Sequence, residues 1–289
     1  MRSDDGAALA SAYAWCRSLA HSHYENFPVA SLLLPARLRN PVSAIYAFAR
    51  SADDLADEGD LQAQQRLAGL DAMAAALNAI EKGSGPQTPL YLALADTIHA
   101  HRLPLSLFHD LLSAFRQDVT TTAYADFGAL MDYCRRSANP VGRLLLHLTA
   151  NVTPGNLALS DAVCSALQLI NFLQDIHQDY SEHGRIYLPQ DEMARFGVDR
   201  HQIAARRNSP GLRQLVLFQA QRAGRLLQSG SPLGRILTGR FGLELRAIIL
   251  GGERVLRKIQ RQNDMFSRPR LGRRDRLAIV WGAVRHGFG

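Results

Sequence analysis

Alternating runs of Val, Ile, Tyr and Phe bounded by turn residues are absent from this chain, so nothing in it reads as a set of sheet strands. Cysteine is scarce. The three present, Cys16, Cys134 and Cys164, are odd in number, far apart and without CxxC or Cys/His spacing. Neither a disulfide framework nor a zinc site is indicated, and a reducing cytoplasm fits. No uninterrupted run approaches the roughly 20 apolar residues of a membrane-spanning helix. The N-terminus, MRSDDGAALASAYAWC, has two acids where a secretory signal needs a basic start. A cytoplasmic protein, membrane-peripheral at most, is expected. A GxGxxG dinucleotide fingerprint is missing as well.

What remains is helical material. Alanine, leucine and arginine dominate a chain of 289 residues that is 47% hydrophobic, enough for a large core. Apolar residues recur at helical spacing through 7–24, 37–58, 61–82, 88–102, 105–118, 124–150, 157–180, 210–229, 233–262 and 273–285. The breaks fall at Pro28 and Pro35, Gly83–Pro86, Pro104, Pro154-Gly155, Ser209-Pro210 and Pro269. None is long enough for a flexible linker, so one all-α domain over 1–289 is expected. The formal charge of +7 suits nucleic acid, an anionic membrane or a polyanionic small molecule. The basic residues are scattered and carry no nucleic-acid motif, so nucleic acid is not expected as a partner.

Two acidic stripes carry the chemistry. Tyr46, Arg50, Asp53, Asp54 and Asp57 recur at steps of three and four, and therefore share one face of a helix. Like charges at i and i+4 cost about a few tenths of a kcal/mol, unless a cation sits over them. In the second stripe, Gln168, Asn171, Asp175 and Asp179 draw a polar line along a helix that is otherwise apolar nearly all round. Such a helix is expected to be buried, and its carboxylates then need partners. If the two helices face each other, their oxygen ligands suit Mg²⁺ held partly by water and partly by substrate phosphate. Either stripe alone reads more readily as solvated surface; the two together, one of them within an apolar helix, do not.

The neighbours leave alternatives open. Arg50 can contact a diphosphate oxygen or make an intrahelical ion pair. Arg185 stands on an exit loop, Gly184 to Pro189, and either closes over a phosphate with Tyr187 or is simply solvated. Asn139-Pro140-Val-Gly142 should bend or break a helix, either aiming Tyr133 and Asn139 into a cavity or serving as a kink only. The basic then amphipathic end, 268–285, either touches an anionic membrane or packs as a closing helix.

Tyr46, Arg50 and Asp53-Asp54-Leu-Ala-Asp57, followed by Gln168 to Asp179 and by Gly184-Arg185-Ile-Tyr187-Leu-Pro189, resemble the squalene/phytoene synthase family in order and spacing. The resemblance runs from about residue 10 to 285. It implies a single-domain isoprenoid-synthase helical bundle around a central cavity. Asp53, Asp57, Asp175 and Asp179 would be catalytic carboxylates that bind Mg²⁺. Tyr46, Arg50, Gln168, Asn171, Arg185 and Tyr187 would bind the diphosphate end of the substrate, with Tyr133 near the reacting carbons. Phe172 is a further aromatic candidate for stabilising a cation.

Three departures are informative. Tyr24-Glu25-Asn26-Phe27-Pro28 replaces a Ser-x-Ser-Phe segment, Gln174 stands where an Arg is common, and Ala138-Asn139-Pro140-Val141-Gly142 replaces Ala-Gly-x-Val-Gly. This set looks like the bacterial branch that turns presqualene diphosphate into hydroxysqualene for hopanoids, working alongside a presqualene diphosphate synthase. It implies Mg²⁺ and no NAD(P)H. The alternatives are head-to-head condensation of two prenyl diphosphates, and a non-catalytic helical assembly factor. The four intact aspartates speak against the latter.

Overall fold

The computed structural model describes residues 2–22 and 35–285. The departure at Tyr24–Pro28 and the breaker Pro28 lie outside the described residues. Among those described, regular structure is helical, apart from one isolated parallel bridge between Ala123 and Ile186. The all-α expectation holds. The helices group into two compact units, residues 1–120 with 143–152 and residues 121–142 with 153–289.

The first unit contains α1 (Arg2–Ser22), α2 (Ala36–Asp57), α3 (Ala63–Glu81), α4 (Pro89–His101) and α5 (Leu105–Thr120). Phe48 of α2 meets Phe108 of α5 edge to face, with ring centroids 5.4 Å apart. Leu70, Leu77, Leu94 and Cys16 fill the space around them and are fully buried. Tyr13 donates to Asp96 Oδ2 at 2.6 Å, so the hydroxyl that α1 buries is satisfied by α4. The carbonyls left over where α2 ends are taken by Arg66. Its guanidinium donates to the backbone oxygens of Leu55, Glu58, Gly59 and Leu61 at 2.7–3.1 Å. One arginine thereby fixes the turn that closes the first acidic stripe.

The second unit is built on α6 (Phe127–Ser137), α8 (Pro154–Gln174), α9 (Ile176–His183), α10 (Gln190–Arg195), α11 (Arg200–Ala204), α12 (Pro210–Gly230), α13 (Leu233–Ile236), α14 (Gly239–Arg261) and α15 (Arg273–Arg285). The boundary between the units runs through α7 (Asn139–Leu148). Capping follows the side chains: Asp126, Thr153, Asp199 and Ser209 each accept from a backbone N–H three residues on. α8 is the core helix. Contrary to the expectation from uninterrupted runs, it is long and apolar enough to cross a membrane by length and composition. Its faces are taken by α12, α14 and α6, and it buries Ser160 and Ser165 along with its apolar side chains.

Three expected helices are divided. The stretch 124–150 breaks before Asn139-Pro140, as the proline implies. The stretch 157–180 breaks at Asp175, whose backbone (φ −108°, ψ 15°) leaves the helical region. The stretch 233–262 breaks at Leu237-Thr238. There Gly239 takes φ +65°, and a Cβ on Gly242 would lie 1.8 Å from the Leu237 carbonyl oxygen. The short helices α10 and α11 were too brief to show a period.

Candidate active site

In the first unit, Tyr46, Arg50, Asp53 and Asp57 fall on α2 as the spacing implies. Arg50 is the hub: its guanidinium lies 3.2 Å from Asp53 and 2.6 Å from Asp54, and it also pairs with Glu58. The intrahelical ion pair is therefore the arrangement present. The cluster stands partly open to solvent, with the Asp53 side chain 42% exposed. Burial pushes the Tyr46 phenol above its ordinary range; the Arg50 charge opposes this and Asp53 and Asp54 add to it.

The second unit gathers the other expected residues. Gln168, Asn171 and Phe172 lie on α8, Asp175 on the break, Asp179 on α9, and Arg185 and Tyr187 on the exit loop after Gly184. Although Asp175 is not helical, the i→i−4 ladder continues through it: Asp175 N–H donates to Asn171 O at 3.0 Å, and Asp179 N–H to Asp175 O at 2.8 Å. The two carboxylates thus stay about one turn apart. Asn171 is exposed, while Asp175 is 7% exposed.

The electrostatics of this pair are unusual. Desolvation, and after it the charge of Asp175, raise Asp179 from 3.8 to about 8, against the opposing pull of Arg185. Asp175 is raised as well, chiefly by burial, with Arg268 opposing. Two cations answer the pair. Arg185 is buried, not a solvated loop residue. Arg268 reaches Asp175 with Nε at 2.6 Å and Nη2 at 3.2 Å. Arg268 was not singled out in the sequence, since it is 93 residues away and looks like one arginine of a basic run.

Gln174, the departure from the family pattern next to Asp175, is placed by a tertiary bond. Its Nε2 donates to Pro269 O at 2.9 Å, and so holds the segment that presents Arg268.

An aromatic cluster adjoins the exit loop. Phe172 and Tyr187 stack with centroids 3.8 Å apart and planes at 7°. Tyr133 lies 6.2 Å from Phe172 and 5.9 Å from Tyr187. Tyr187, expected at the diphosphate end, joins this cluster through its ring. Tyr124, which spacing did not reveal, completes it at 5.4 Å from Tyr133 and 5.6 Å from Tyr187. The bridge at Ala123 and Ile186, with Ile186 N–H donating to Thr122 O at 2.8 Å, ties these two loops together. Ile186, the neighbour of Tyr187 in the chain, lines a pocket of about 190 Å³ with Ala123, Met193, Val198 and Arg200. Asn139 is buried and accepts from Ser165 Oγ at 2.8 Å, a packing role within the bend.

Among the described residues no three His, Cys, Asp or Glu side chains converge into an assembled metal centre. The donor set of the second pair nevertheless fits a hard divalent cation. Buried Asp175 and half-buried Asp179 stand one turn apart, Asp179 is raised by desolvation and by the charge of Asp175 despite the nearby arginines, and the pair offers oxygen only. A cation there would complete its shell with phosphate oxygens and water.

Helices through the described residues, with paired aspartates beside arginines of which Arg185 is buried, and clustered aromatic rings, define an all-α enzyme of the isoprenoid-synthase kind. The squalene/phytoene synthase family profile matches residues 20–276. The chain is 36% identical over 271 residues to a hydroxysqualene synthase of Rhodopseudomonas palustris, covering 92% of this chain and 91% of that one. It is 36% identical to a hydroxysqualene synthase of Zymomonas mobilis, covering 90% and 87%. The crystal structure of a squalene synthase from Alicyclobacillus acidocaldarius superposes with a TM-score of 0.82 at 38% identity, covering 90% of this chain and 96% of that one. The chain belongs to the squalene/phytoene synthase family, whose members are enzymes acting on prenyl diphosphates.

Proposed function

We propose that this protein converts presqualene diphosphate to hydroxysqualene within a single catalytic domain, 1–289, in the cytoplasm. The observation that carries the chemistry is the Asp175/Asp179 pair, two carboxylates one turn apart, with Asp179 lifted to about 8 by desolvation and, after it, by the charge of Asp175. Choice of substrate rests on the relatives called hydroxysqualene synthase, at 36% identity over nine-tenths of the chain.

In this reading Asp175 and Asp179, and likewise Asp53 and Asp57, hold Mg²⁺. Bound there, Mg²⁺ supplies Lewis-acid stabilisation of the charge that develops on a departing diphosphate. In the second unit Arg185 and Arg268 would add fixed positive charge for those oxygens, with Gln168 and Asn171 as polar contacts; in the first, Arg50 and Tyr46 would do so beside Asp53. The ester C–O bond breaks with both electrons leaving on the diphosphate, and the cyclopropylcarbinyl cation rearranges. Tyr133, Phe172, Tyr187 and Tyr124 offer ring faces that stabilise the cation without attacking it. Water forms the new C–O bond and its proton passes to solvent or to the released diphosphate. The change is redox-neutral, so no nicotinamide enters. Presqualene diphosphate would come from a separate synthase that joins two farnesyl diphosphates.

The purified protein, given presqualene diphosphate and Mg²⁺ without reductant, should release hydroxysqualene, identified by mass. Unchanged presqualene diphosphate, with turnover of farnesyl or geranylgeranyl diphosphate alone, would move the assignment to the condensing members of the family.

A further inference from the structure

We propose that the outward face of α15 docks on an anionic lipid bilayer. Toward α14 this helix turns Ile279 and Ala283, 8% and 1% exposed, and Gly282, where a Cβ would lie 3.0 Å from Leu250. Leu277, Val280, Trp281 and Val284 are 72%, 62%, 65% and 44% exposed. They recur at steps of three and four, and so form one apolar face. The other strongly exposed large apolar side chains among the described residues, Trp15, Leu61, Val152 and Ile236, stand singly in sequence. A grouped apolar face of this kind marks an interaction site, whereas scattered exposed residues do not.

The charge around this face selects the partner. At about 100° per residue, Arg276 falls on one flank and Arg274 and Arg285 on the other, with Arg273 at the leading end. All four are exposed, and the Arg285 guanidinium lies 5.0 Å from the Trp281 ring. The one acid of the helix, Asp275, is turned inward. It pairs with Lys258 at 2.7 Å and Arg254 at 3.3 Å, and accepts from Gly272 N–H. The outward side therefore carries positive charge alone. Two copies meeting by this face would bring arginines together on both edges. An anionic bilayer complements them instead: the apolar side chains enter the acyl boundary, the indole sits at headgroup level, and the arginines extend to lipid phosphates. The surface is independent of the proposed reaction, although a hydrocarbon substrate would give such contact a use.

The test is co-sedimentation of the full chain with phosphatidylcholine vesicles, with and without phosphatidylglycerol. Binding should be at least about tenfold stronger with the anionic lipid, as expected when several arginines approach a charged surface. The double variant Leu277→Ser/Trp281→Ser should lose about tenfold in binding with its melting temperature unchanged, because both side chains are exposed. In a Trp15→Phe background, where Trp281 is the remaining tryptophan of two, its emission should shift to the blue on mixing with anionic vesicles. Undiminished vesicle binding by the double variant, or no spectral shift, would overturn the proposal. So would sedimentation equilibrium showing that the same substitutions turn a lipid-free dimer into a monomer, which would assign the face to a second copy.

Discussion

Burial and the neighbouring Asp175 carboxylate keep a proton on Asp179 that the unfolded chain gives up near the ordinary value of 3.8. Because the folded chain binds the extra proton, the contribution is whole below about pH 4 and is lost as pH rises through about 8. In the presence of a chelator, the melting temperature should fall from about pH 5 to about pH 8, and Mg²⁺ should restore it at the upper end. Asp179→Asn should flatten that slope. A profile that rises over the same window, or one indifferent to Mg²⁺, would count against the pair as a cation site. The same substitution should lower turnover of the diphosphate substrate by at least about a hundredfold while leaving far-ultraviolet dichroism unchanged. Spacing alone made these aspartates legible, since steps of three and four define a helix face. Arg268 and Tyr124 were not legible, because tertiary structure brings them to Asp175 and Tyr187 from distant loops.

Helix packing places the acidic stripe of the second unit through close approach of backbones. Gly230 ends α12 against α8, and a Cβ there would lie 2.6 Å from the Leu159 carbonyl oxygen and 2.9 Å from the Val163 nitrogen. Neither is the end of a flexible side chain. Gly230→Ala should therefore destabilise by about 1–3 kcal/mol, measured by thermal or denaturant unfolding. Gln174→Ala removes the bond that fixes Pro269, so hydrogen exchange across 264–272 should quicken while that of α8 stays unchanged. Helix existence was readable from periodicity, and the proline marked the break before Asn139. The breaks at Asp175 and Thr238 were not marked by proline. Gly239 and Gly242 were the available signal for the second of them, while the first is set by tertiary context around a buried carboxylate.

Composition and missing strand patterns were enough for the fold class, and motif order for the family. The return of 143–152 to the first unit is written nowhere in composition, because it happens inside α7 and no linker signals it. The two units nevertheless carry a means of being followed separately. Cys16 in the first and Cys134 in the second are fully buried, and burial pushes their thiols up to about 11 and about 12. Neither is a thiolate near neutrality, so an alkylating reagent should modify each only when its surroundings open. Mass spectrometry of the labelled peptides in rising denaturant should give two modification midpoints if the units open independently and one if they open together. Each half of the chain therefore contains a native clock for its own breathing, readable without adding any probe.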